Sequence, residues 1–187
     1  MAINSEQELE KTISQVGKLL QEIQDYVGRD FTKTCRIRFP RGYIRTASQH
    51  RKKLPFVKKK SLQSNLAYTM LLSDVLDWLL VRTDITGTAE EIVIKTQLFL
   101  LGTLVESITN AHLKGKCGKN YVGRIEYLEK TGVITSELRS DLEWLWKMRN
   151  RMHLFQINGS EYYLQDYTAE SHNRAGKAFQ KLLESLS

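Results

Sequence analysis

Residues 92–108 read IVIKTQLFLLGTLVESI, the most apolar stretch of the chain, and its interpretation decides what kind of protein this is. A membrane-spanning helix needs roughly 20 apolar residues in succession. Here Lys95, Gln97 and Glu106 interrupt the run, so it reads as a buried helix of a soluble bundle. Being apolar on most sides, that helix belongs at the centre. Thr88 with Glu91 suits its start, and Gly115 and Gly118 in the loop KGKCGKN stop it near Leu113.

The flanking segments carry helical periodicity as well. Ser5 and Glu8 have capping-box spacing. After them Leu9, Ile13, Val16, Leu20, Ile23 and Val27 recur at alternating steps of four and three, which predicts an amphipathic helix over 5–27. A second helix begins near Ser61 and runs through Leu66, Met70, Leu76 and Leu80. A short one over 121–130 stops at Gly132, Thr135 or Ser136 opens the next, and Thr168 opens the last. The expected fold is all-α, an antiparallel helical bundle. With 187 residues and 41% hydrophobic content the chain sustains one core, so 1–187 is expected to form a single helical domain. The start, MAINSEQELEKT, lacks the basic and apolar regions of a signal peptide, which points to a cytoplasmic protein without a membrane partner. Cys35 and Cys117 lie far apart with no ligand-spaced neighbours, so neither a disulfide nor a metal or other cofactor is expected.

Charge is concentrated in one place. Residues 28–60 hold twelve Lys or Arg against Asp30 alone, while the remaining chain has 16 basic and 20 acidic residues, so the net +7 arises from this segment. It is expected to be a basic insertion between helices one and two that meets a polyanion. Arg36, Arg38, Arg41, Arg45, Arg51, Lys52, Lys53, Lys58, Lys59 and Lys60 are the candidate nucleic-acid-binding residues, and His50 joins them. Phe31, Phe39, Tyr43 and Phe56 interleave stacking faces for bases. TCRIRFPRGYIRT, with Pro40 at its turn, suits a small hairpin, so a hairpin or an irregular excursion is expected; a solvated, partly disordered loop is the alternative.

The stretch WLWKMRNRMHLF, 144–155, poses a second problem. At about 100° per residue, Arg149 falls on the face shared by Leu138, Leu142 and Leu145, and His153 lies one turn beyond it. A guanidinium there needs a carboxylate, an interface or a bound anion, and Glu106 or Asp141 is the internal candidate. RNA cleavage through the 2′-hydroxyl would use both groups: an imidazole that moves protons near neutral pH and a permanent cation for the phosphate, with no metal. Asn150, at the edge of the stripe, can hydrogen-bond the phosphate. His112 reads as packed or exposed at a helix tip, His172 as neutral and superficial, and Trp144 and Trp146 as packing or dimer contacts.

LEKTGVITSELRSDLEWLWKMRNRMHLF, 128–155, resembles the signature region of HEPN domains, small helical proteins marked by an Arg, a following polar residue and a His. Members typically place more residues between Arg and His than the three found here, Asn150, Arg151 and Met152. The resemblance implies a homodimer whose paired motifs face a cleft and cut RNA without metal, with toxins and antiphage effectors among its members. By that likeness Arg149 contacts phosphate, His153 handles protons and Asn150 is the polar companion. Three functions follow: a metal-independent endoribonuclease; a non-catalytic accessory that holds RNA or DNA, with a protein partner in a multi-component system; or a protein-interaction module docking on an acidic partner.

Overall fold

A computed structural model of the chain describes residues 2–30, 32–118, 120–151 and 166–187. Among these it contains seven helices and no strand: α1 (Glu6–Val27), α2 (Ala47–Lys52), α3 (Lys60–Arg82), α4 (Gly87–His112), α5 (Tyr121–Lys130), α6 (Ser136–Asn150) and α7 (Ala169–Leu186). The protein is an all-α bundle. Two compact units divide it, 1–40 and 41–187, so the boundary falls inside the basic segment.

The first unit is α1 and the chain that follows it. Ser5 caps α1 by accepting from the Glu8 N–H, while the Glu8 carboxylate accepts from the N–H of Asn4, one residue earlier than a capping box requires. No residue of α1 is buried, and its stripe of Leu9, Ile13, Val16, Leu20 and Ile23 is exposed. Gly28, at φ 57°, turns the chain back, and the Lys33 ammonium sits 4.3 Å from the Tyr26 ring centre.

The second unit is built around α4, which packs on α3, α5, α6 and α7. Its apolar length explains this: Ile94, Leu98, Leu101, Leu104, Val105 and Ile108 are each at most 2% exposed, which no one-sided surface helix could achieve. Among the described residues only α4 is long and apolar enough to cross a membrane, and 61% of its most apolar window is covered by the rest of the bundle. Thr86 rather than Thr88 stands at its N-cap. Thr135 and Thr168 cap α6 and α7, each accepting from the backbone N–H three residues on.

Of the two forms expected for the basic segment, a hairpin or an irregular excursion, the second is found, and TCRIRFPRGYIRT makes no hairpin. Arg41–Ile44 make a turn, with Gly42 at φ 86°, and the chain then enters α2 instead of a strand. Two interactions, one local and one long-range, draw it there. Thr46 and Gln49 form a reciprocal capping box at the start of α2, and Arg45 is anchored to Asp74 of α3 through both its backbone N–H and its guanidinium. Leu54 and Val57, just beyond α2, are buried in the core. Residues 41–60 are therefore an irregular segment with one short helix, packed on α3.

Candidate functional site

Arg149 occupies the last turn of α6, where Leu138, Leu142, Leu145 and Met148 are buried against the core. Its stem passes over Gly102 of α4. A Cβ at position 102 would lie 2.6 Å from the Arg149 Cβ and 3.3 Å from the Leu145 carbonyl oxygen, so only glycine lets α4 and α6 approach this closely here. The stem is packed while the head reaches the margin of the bundle, leaving the side chain 28% exposed.

Three neighbours define the head group. One terminal nitrogen is 3.1 Å from the Glu106 carboxylate on α4, the other donates to the Asn150 amide oxygen at 2.9 Å, and Nε is buried with no partner among the described residues. Glu106, not Asp141, is the internal carboxylate; Asp141 accepts from Arg174 at 2.7 Å. Both partners of the Arg149–Glu106 pair are partly exposed, which puts its worth at about 0.5–1 kcal/mol. The arrangement holds a planar cation at the surface with Asn150 beside it, suited to an oxyanion with two acceptor atoms.

The third member of the expected constellation, His153, lies outside the described residues, as do Met152 and Phe31. A single helix was expected to carry both Arg149 and His153. α6 ends at Asn150, where Arg151 closes the last turn by donating its N–H to the Lys147 and Met148 carbonyls.

The ten basic candidates divide. Arg36 and Arg38 are exposed in the first unit. In the second, Arg41, Lys52, Lys58, Lys59 and Lys60 are exposed and Arg51 is half-buried, while Arg45 and Lys53 face a cleft lined by α3, α4 and α7. Arg45 is committed to Asp74, two of its side-chain nitrogens meeting a carboxylate that is only 2% exposed. It is thus an internal anchor as much as a surface cation. His50 does not join the basic run: it is 1% exposed, with Nε2 3.0 Å from the same carboxylate. His172 is not superficial either, its Nε2 standing 2.9 Å from Asp77. His112 packs edge-on to Phe56, Trp146 stacks on Tyr121, and Trp144 lies under the Arg174 guanidinium at 4.4 Å.

These polar contacts form a network that the sequence reading missed. Asp74 holds Arg45 and His50. Gln97 donates to Ser73 at 2.7 Å and to Asp77 at 2.9 Å, and Asp77 continues to His172. Burial pushes the Asp74 carboxyl up, but the Arg45 guanidinium and backbone N–H, with His50, outweigh it and hold Asp74 below its ordinary value. Burial lowers His50 more strongly than Asp74 raises it, so His50 is held below its ordinary 6.5. Burial also lowers His112. The sign follows: folding favours neutral imidazole, a contribution complete above pH 6.5 and lost as the pH falls below it. The melting temperature is expected to drop by roughly a few degrees between neutral pH and pH 5, with a shallower slope in His50→Gln. Scanning calorimetry checks this; identical slopes would remove His50 as a source.

Among the described residues no group of three His, Cys, Asp or Glu could hold a metal ion. No family model, no curated protein and no solved structure matches this chain.

Proposed function

We propose that the protein is a HEPN-like, metal-independent endoribonuclease in which Arg149 holds the scissile phosphate, Asn150 assists it and His153 moves protons. The observation that carries this reading is Arg149 itself. A permanent cation occupies the apolar stripe of α6, its stem fixed against Gly102, its head at the surface beside Asn150 and only partly occupied by Glu106. Leu142 and Leu145 on the same face are fully buried apolar residues, so a guanidinium at this register departs from the rest of the stripe. The cost of keeping it is understandable where charge develops on a phosphoryl oxygen.

The step balances without a cofactor. Imidazole takes the proton of a 2′-hydroxyl, the 2′-oxygen bonds to phosphorus, and the 5′-oxygen leaves with a proton, giving a 2′,3′-cyclic phosphate and a 5′-hydroxyl. Arg149 neutralises the phosphorane oxygens as their charge rises. The exposed cations Arg36, Arg38, Arg41, Lys52, Lys58, Lys59 and Lys60, with half-buried Arg51, supply the sequence-independent attraction that brings RNA to the surface. A homodimer, a cytoplasmic setting and a role as toxin or antiphage effector belong to the same proposal.

A second reading keeps the nucleic acid and drops the cleavage. What favours it is the Glu106 carboxylate, which already engages the Arg149 guanidinium and competes with phosphate. One experiment separates the two. Purified protein incubated with RNA in EDTA is expected to yield cyclic phosphate ends, and His153→Ala to leave the RNA intact. Intact RNA with the wild type, together with binding that weakens steeply in salt, would select the accessory role; binding indifferent to salt would remove both.

A further inference from the structure

α1 leaves an apolar stripe uncovered: Leu9, Ile13, Val16, Leu20 and Ile23 are exposed, and no residue of the helix is buried. The steps of four and three from Leu9 to Val27 average about 3.5 residues, the repeat of helices wound around one another, whereas a straight helix drifts off such a seam by about 20° per heptad. Leu9, Val16 and Ile23 hold one heptad position, and Ile13, Leu20 and Val27 hold the other. Between Leu9 and Val27 the positions flanking this seam carry a single charge, Glu10; Lys11, Lys18, Glu22 and Asp25 fall on the outer positions.

The stripe fits a reversed copy of itself. Laid antiparallel, Leu9 meets the partner's Val27, Ile13 the partner's Ile23 and Val16 the partner's Leu20, and a twofold axis repeats each pairing. All six apolar positions are then used. Leu19 meets the partner's Leu19 beside the axis, and Gly17 faces the partner's Gly17 across it. A glycine inside a helix weakens it, and a Cβ built on Gly17 meets nothing within 4 Å of its own chain; the close approach of a second helix accounts for the residue.

Charge selects the same orientation. The first turns of α1 carry Glu6, Glu8 and Glu10, while the chain just beyond its last turn carries Arg29, Lys33, Arg36 and Arg38 against Asp30. In a parallel pair acid would face acid, with Glu6 opposed to its own copy in the seam. In an antiparallel pair each acidic end lies beside the partner's basic chain, and the helix dipoles oppose. A seat for that end is present. Residues 32–35 lie alongside the last turns of α1 and, with Leu19, Ile23, Tyr26 and Val27, bound a groove of about 700 Å³ that Lys33 also lines.

We infer that α1 is a dimerisation helix that pairs antiparallel with α1 of a second copy of this chain, each copy's Leu9 and Ile13 entering the other's groove. The contact involves neither Arg149 nor His153. The homodimer of the ribonuclease proposal is set by the α6 motifs and says nothing of α1, so the two stand or fall separately.

Three heptads are the lower limit for such a pair, so sedimentation equilibrium of the full chain is expected to give twice the chain mass at about 100 µM and dissociation on dilution. Ile13→Glu sets a carboxylate against the partner's Ile23 twice per dimer and should weaken association at least about hundredfold. Its helix content should be unchanged, because position 13 is exposed within the chain and glutamate is a good helix former. Oxidative cross-linking in a Cys35→Ser, Cys117→Ser background reads the orientation. Ile13→Cys mixed with Ile23→Cys should give a linked dimer and either alone should not, since like positions are then about 15 Å apart along the helices. Three results would each overturn the proposal: a monomeric wild type, which leaves the stripe to its own bundle or to another protein; an Ile13→Glu dimer as tight as the wild type, which moves the contact to another surface such as the α6 motif; or linkage of Ile13→Cys to itself with no mixed product.

Discussion

Asp74→Ala is expected to lower the unfolding free energy by about 3 kcal/mol. The carboxylate is 2% exposed and serves three groups at once: the Arg45 backbone N–H at 2.8 Å, the Arg45 guanidinium and the His50 ring at 3.0 Å. Removing it leaves His50 buried with both nitrogens unsatisfied, since Nδ1 has no partner among the described residues even with Asp74 in place. Arg45 is 42% exposed and can turn to water, which keeps the cost from reaching the upper end of such deletions. Asp74→Asn preserves the shape and an acceptor and should cost less. Urea denaturation at neutral pH measures the difference; a loss below about 1 kcal/mol for the alanine variant would mean that Asp74 does not anchor the 41–60 segment.

The second large effect is on activity. If RNA is cut at the α6 terminus, Arg149→Ala is expected to slow cleavage by roughly 10²–10³-fold, the usual consequence of deleting a donor that stabilises developing oxyanion charge. Stability should fall by less than about 1 kcal/mol, because the pair with Glu106 is partly exposed and alanine keeps the Cβ packed on Gly102. Arg149→Lys restores charge without the planar fork and should recover only part of the rate. Single-turnover cleavage of a labelled RNA, followed beside a melting curve, separates the two quantities. Wild-type rates in the alanine variant would exclude Arg149 from the chemistry.

α1, α6 and α7 were readable from the sequence because each pairs a capping side chain with repeated apolar positions, α3 was readable from its apolar spacing alone, and α4 was placed at the centre by the absence of a polar face. Arg149 was readable on the same grounds, as a charge where periodicity asked for leucine. Its partner was not, because Glu106 and Asp141 were both in plausible reach and only packing distinguishes them. α2 escaped because six residues hold less than two turns, too few for periodicity to register, although the Thr46–Gln49 capping spacing was there to be seen. The hairpin expectation went wrong for a related reason: alternation over a few residues counts for little against one long-range carboxylate, and Asp74 lies 29 residues from Arg45. The polar network went unread because Ser73, Asp74 and Asp77 lie between the apolar positions of α3 and no local motif marks them as inward-facing. The test applied to Arg149, asking why a polar residue sits on an inward face, would have found them.

Gly102 ties the folding of the bundle to the aim of its surface cation. Because α4 and α6 close with the Arg149 stem against that glycine, the inner part of the side chain is confined when the core forms. If a phosphate is held there, it meets a guanidinium whose stem is already packed, so less ordering entropy remains to be lost on contact. The same coupling makes position 102 a control point for the head group, although it is itself buried.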